Sequence, residues 1–72
     1  MKLSEGDKIE VADGVLADTE AGTYWVAYVS YCHGAPYYGL RRLYSRCIDG
    51  RFFVNAIDSM LGRKIRRVPC SQ

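Results

Sequence analysis

Tyr24-Trp25-Val26-Ala27-Tyr28-Val29-Ser30-Tyr31-Cys32-His33 is the densest run of aromatic and β-branched residues in the chain. Such residues pack best on a pleated, half-buried surface, so the run reads as a strand. Gly34-Ala35-Pro36 breaks it, because proline fixes its own φ and has no amide hydrogen for a ladder. Tyr37 to Ile48 reads as a second long strand and Arg51 to Ile57 as a third. Asp49-Gly50 between them is the strongest short-range hairpin signal in the chain, since both central residues of a type I′ turn need positive φ.

Toward the N-terminus, Lys8-Ile9-Glu10-Val11-Ala12 alternates polar and apolar residues, the pattern of a half-buried strand, with Gly6-Asp7 as a turn before it. Asp13-Gly14 ends that strand, and residues 13–23 have no sustained period and read as a long loop. Asp58-Ser59-Met60-Leu61-Gly62 predicts a single helical or 3₁₀ turn, capped by Asp58 or Ser59 and ended by Gly62. Arg63 to Val68 forms a last strand, stopped by Pro69.

This order resembles that of the SH3-like barrels, the family that includes Tudor and KOW modules. Gly6-Asp7-Lys8-Ile9-Glu10-Val11 looks like the family's opening strand. Tyr24-Trp25-Val26-Ala27-Tyr28-Val29 is similar to the aromatic second strand of Tudor-type barrels, and the turn at Asp58–Gly62 sits where they place a 3₁₀ turn. The resemblance covers residues 6–68 and rests on spacing and layout. It implies a mainly β domain: a five-stranded SH3-like barrel with one short helical or 3₁₀ turn. A five-stranded OB-type barrel and a sheet packed on a short helix fit the same pattern, and fold alone fixes no function.

The chain of 72 residues is expected to be a single domain over residues 1–72. A domain this short buries only about 60% of its unfolded surface and has a thin core. Hydrophobic residues at 49% and charged residues at 25% exclude a disordered composition. No apolar run approaches the roughly 20 residues of a membrane span, and Met1 to Asp7 contain no apolar signal core, so a cytoplasmic location is expected. Cys32, Cys47 and Cys70 are odd in number and scattered, which argues for free thiols over a disulfide framework.

The net charge of +2 conceals an asymmetry. Residues 1–40 carry two cations against six carboxylates; residues 41–72 carry eight cations against two. Such a split points to one basic surface. Alternatively, strands from the two halves pair and neutralise each other.

A two-residue turn at Asp49-Gly50 would set Ile48 opposite Arg51, Cys47 opposite Phe52 and Arg46 opposite Phe53, and directly opposed residues share a face. One face would then hold Leu43, Ser45, Cys47, Phe52, Val54 and Ala56 as core. The other would present Arg42, Tyr44, Arg46, Arg51, Phe53 and Asn55, with Lys64 and Arg66 nearby on the last strand. Guanidinium groups neutralise phosphates and aromatic rings stack on bases, so this face suits nucleic acid. Arg46 lying over Phe53 as a hairpin-stabilising cation–π pair, or a protein contact, would use the same residues.

Seven aromatic residues fall between positions 24 and 44. They suit either a thin core that recruits large rings or a Tudor-like cage for a methylated cation, assisted by the acidic loop residues Asp13, Asp18 and Glu20. Either side of strand 24–33 could face inward: Trp25, Ala27, Val29 and Tyr31 form one set, Val26 and Tyr28 the other. Cys32-His33, Cys47 and Cys70 have zinc-ligand types, but strand neighbours point to opposite faces and no C-x-x-C pair exists, so no metal is expected. A Cys–His nucleophile pair lacks a third orienting group, and no phosphate-binding glycine loop occurs.

The expectation is therefore a non-enzymatic binding module without cofactor. It would contact DNA or RNA through Arg42, Tyr44, Arg46, Arg51, Phe53, Lys64 and Arg66. The alternative partner is a host protein, as for a small phage-type inhibitor or adaptor of the anti-CRISPR or anti-restriction class. A toxin-type ribonuclease on the same layout would need an acid–base pair that the sequence does not offer.

Overall fold

The computed structural model describes residues 1–16 and 19–69. Asp18 of the acidic loop and Cys70 lie outside the described residues. Five strands run β1 (Lys8–Val11), β2 (Gly22–Cys32), β3 (Ala35–Arg42), β4 (Gly50–Phe53) and β5 (Ile65–Val68), with helix α1 (Val54–Met60) before the last. They form one antiparallel sheet in the order β4-β3-β2-β1-β5.

The mainly β class and the strand count agree with the sequence. The closed barrel does not: the sheet is open, with β4 and β5 as its edges. The core is covered by α1, which packs on β3 and β4, instead of by pairing between the two edge strands.

The tight hairpin lies elsewhere than expected. Cys32 pairs with Ala35, so His33-Gly34 is a two-residue turn, and both have positive φ, 51° and 81°. Pro36 does not break β3, because β4 ends opposite Tyr37 and leaves no neighbour there to need its amide hydrogen. Asp49-Gly50 makes no turn. Gly50 is already in β4, opposite Leu40, and residues 43–49 form the connection. The Asp49 carboxylate accepts the Arg42 backbone N–H at 2.8 Å, and its own N–H donates to Leu40 O at 2.8 Å, which ties the loop shut at its base.

The third strand is likewise shorter than expected, and the helix longer. Val54 and Ile57 are buried with Met60 and Leu61 packed against the same core, which is a helical spacing. The helix therefore begins at Val54, not at Asp58, and no side chain among the described residues caps it. Of the core set expected from the Asp49-Gly50 register, Val54 is buried and Phe52 packs against the core. Leu43 and Ser45 are half-buried in the loop, and Cys47 and Ala56 are exposed. Asn55 sits exposed on α1.

The core comprises Leu3, Ile9, Val11, Leu16, Tyr24, Val26, Tyr38, Leu40, Val54, Ile57 and Ile65. A β-bulge between Val26 and Tyr28 settles the inward side of β2. Tyr24 and Val26 face the core before it, and Val29, opposite buried Tyr38, does so after it. Neither of the two alternating sets is correct along the whole strand, because the extra residue exchanges the faces midway.

One buried phenol joins three segments. The Tyr38 hydroxyl accepts the Leu3 N–H at 3.1 Å and donates to Asp58 Oδ1 at 2.8 Å. Asp58 Oδ2 in turn accepts the Lys2 N–H at 3.1 Å. Burial pushes the Tyr38 phenol above its ordinary pKa; the Leu3 N–H opposes this, and the Asp58 carboxylate reinforces it.

Tyr38→Phe should therefore destabilise the fold by about 1–3 kcal/mol, because it orphans a buried N–H; chemical denaturation measures this. The raised phenol pKa adds a pH signature. Its stabilisation is fully present below the unfolded phenol pKa of about 10 and is lost as pH rises through the higher folded value. Denaturation midpoints of the wild type should fall in that alkaline window more than those of Tyr38→Phe. Ile57→Ala, which empties a fully buried site beneath α1, should cost about 2–5 kcal/mol in the same assay.

Candidate functional site

The face of the sheet opposite the core is built by cross-strand rows. Phe53 lies opposite Tyr37, and Tyr37 opposite Ser30. Arg51 lies opposite Gly39, and Gly39 opposite Tyr28. Arg41 lies opposite Trp25, Trp25 opposite Lys8, and Lys8 opposite Val68. Directly opposed residues share a face, so four aromatic rings and three cations stand together on the outer surface.

These side chains hold one another. Arg51 Nε donates to the Tyr28 hydroxyl at 3.0 Å, a contact that raises the guanidinium pKa. Tyr28 meets Tyr37 edge-on, with ring centroids 6.2 Å apart and planes at 81°. Lys8 Nζ sits 5.0 Å from the centre of the Trp25 ring. Arg41 Nη1 donates to Ser45 O at 2.6 Å and so links the face to the loop after β3.

Gly39 provides the seat for Tyr28. A Cβ at this position would lie 2.4 Å from the Tyr28 ring, so the phenol occupies the space that a side chain would take. Cys32, Tyr37, Arg51 and Phe53 line a shallow, open recess of about 200 Å³ at the β4 end of this face. Phe53 is 56% exposed there.

The expected site residues are not all brought together. Arg51 and Phe53 share the outer face. Arg66 is on that face at the far edge, opposite and ion-paired with Glu10. Arg42, at the end of β3, pairs with Glu20 at 3.1 Å and approaches Asp49 at 3.9 Å. Its pKa is raised by the Tyr24 hydroxyl and then by Glu20. Tyr44 and Arg46 belong to the loop over residues 43–49, where Tyr44 is 95% exposed, and Lys64 is exposed in the turn before β5. Arg46 therefore does not lie over Phe53, because β3 has ended four residues earlier. The pairs Glu10–Arg66 and Glu20–Arg42 neutralise part of the charge asymmetry between the two halves.

Trp25, Tyr28, Tyr37, Arg41 and Lys8 complete the face and were missed. The alternation Tyr37, Gly39, Arg41 against Tyr38, Leu40 carries the signal, but only once β3 is ended at Arg42. Cys32 and Cys47 are exposed free thiols. Among the described residues, no three His, Cys, Asp or Glu side chains are grouped to hold a metal ion. No helix among them is long and apolar enough to cross a membrane.

No family model matches the chain, and neither a curated protein nor a solved structure does. The geometry of the face is tested directly at its glycine. Gly39→Ala should displace the Tyr28 ring and break its hydrogen bond to Arg51, while the core on the other side stays packed. Tyrosine ring resonances in a two-dimensional NMR spectrum should shift for Tyr28 and Tyr37 and stay in place for Tyr24. Unmoved Tyr28 resonances would refute the seat.

Proposed function

We propose that the chain is a non-enzymatic binding module, an open variant of the SH3-like layout, that contacts nucleic acid through the outer face of its sheet. One observation carries this reading. Lys8, Arg41 and Arg51 stand beside Trp25, Tyr28, Tyr37 and Phe53, and among the described residues none of the three cations has a carboxylate partner. Unneutralised cations attract phosphates and exposed rings stack on bases. Arg42 and Arg66 are already engaged by acids, which makes them weaker candidates for phosphate contacts. Arg51 on the wall of the recess also disfavours the methylated cation of a Tudor-like cage, since like charges repel.

Affinity for single strands should fall with salt, with a slope of log K against log salt of about −0.7 per phosphate contact. Lys8→Ala, Arg41→Ala and Arg51→Ala should each flatten that slope by about one contact. Phe53→Ala and Tyr37→Ala should weaken binding by roughly 1–3 kcal/mol and leave the slope nearly unchanged. Tyr44→Ala and Arg46→Ala, in the loop, should change little. Titration of labelled DNA and RNA at two salt concentrations reads all of these. If neither binds at the lower salt, the reading fails, and a protein partner of the inhibitor or adaptor kind takes its place.

A further inference from the structure

We infer that the recess bounded by Cys32, Tyr37, Arg51 and Phe53 seats one unpaired nucleobase, so that the face takes single strands and rejects duplex; this rests on the nucleic-acid reading above. The recess is about 200 Å³, below the roughly 300–1,000 Å³ of pockets that enclose drug-sized ligands, and suits one flat ring. Tyr37 and Phe53 are directly opposed on paired strands, which puts two aromatic side chains within reach of the same ligand ring. Tyr28 buttresses Tyr37 from the side and fixes Arg51 by its hydroxyl. The guanidinium thus stands two residues from Phe53 on the same face, where the phosphate of a seated nucleotide would be neutralised.

Charge complementarity selects the occupant. Among the described residues, no carboxylate lines the recess and its one charged group is Arg51, so the ligand combines an apolar ring with an anion. A nucleotide has that composition. A base inside a duplex is stacked on both sides and paired, and it can enter only by leaving the stack, which costs a few kcal/mol. An unpaired base avoids that cost.

The two exposed thiols among the described residues allow a positional test. Cys32 lines the recess, whereas Cys47 lies in the loop over residues 43–49. In the full chain carrying Cys70→Ser, an oligothymidylate of about twelve nucleotides would carry one central base with a disulfide-activated tether. Thiolate attack on the tether forms the mixed disulfide and releases the activating thiol. Binding is followed separately by the fluorescence of Trp25, the single tryptophan, which lies on the same face. Trapping at Cys32 should exceed trapping at Cys47 by about tenfold, and Phe53→Ala should remove that preference. The same oligonucleotide in a full duplex should show no preference for Cys32. Equal trapping at both thiols, or equal trapping from duplex, with Trp25 still reporting binding, would overturn the base seat and leave the nucleic-acid reading standing. No response of Trp25 and no trapping at low salt would overturn both.

Discussion

Ala27 has no partner on β3, and most of the molecule follows from that omission. The ladder passes from Val26–Leu40 directly to Tyr28–Gly39. A bulge of this kind bends the strand and increases its twist. It also exchanges the two faces of β2. Tyr24 and Val26 enter the core on one side of it, and Val29 meets Tyr38 on the other. Without the extra residue, Tyr28 would turn inward in place of Val29. The aromatic face and the core would then compete for the same side chains. The bulge gives each face its own set, and Gly39 leaves space for the ring that the bulge turns outward.

The open sheet is completed by contacts other than strand pairing. Tyr38 stands in the middle strand of the hairpin pairs, and its hydroxyl reaches both the N-terminal segment and α1. A buried phenol is stable there because both of its hydrogen-bonding capacities are satisfied. Among the described residues, no buried side-chain nitrogen or oxygen lacks a partner. The core is thin for its size, yet Tyr24 and Tyr38 are almost wholly enclosed, so two large rings supply much of its volume.

The mainly β class, five strands, a short helix before the last and an inward Val54 were legible in the sequence. Their legibility came from β-branched and aromatic density, which marks a pleated surface wherever it occurs. The register around β4 was not legible. Asp49-Gly50 is a strong local turn signal, but Asp49 is used to close the base of a longer loop, and Gly50 accommodates the Phe52 ring in the space where a Cβ would lie. The true two-residue turn uses His33, a residue that tolerates positive φ less conspicuously than asparagine or glycine. Val54 and Ile57 are β-branched and suit a strand by residue type, but a strand would place them on opposite faces, and burial of both in the same core decides for the helix. For the candidate face, Arg51 and Phe53 were legible because they alternate on one short strand. Trp25 and Tyr28 were not, because their shared side depends on the bulge, and period-two patterning cannot register a skipped residue; Tyr37 was not, because its alternation with Gly39 and Arg41 reads clearly only once β3 ends at Arg42.

The place of β1 in the sheet has a consequence for synthesis of the chain. β1 lies between β2 and β5, so the first of the five described strands is flanked on one side by the fifth. The hairpin of β2 and β3 is local, with only His33 and Gly34 between its strands, and can close as soon as it leaves the ribosome. β1 can pair with β2 at that stage, but Ile9 and Val11 keep an open flank until residues 65–68 arrive. Until β5 has been made, a nascent chain therefore carries an unpaired, partly apolar strand edge on β1, and docking of β5 is the event that covers it.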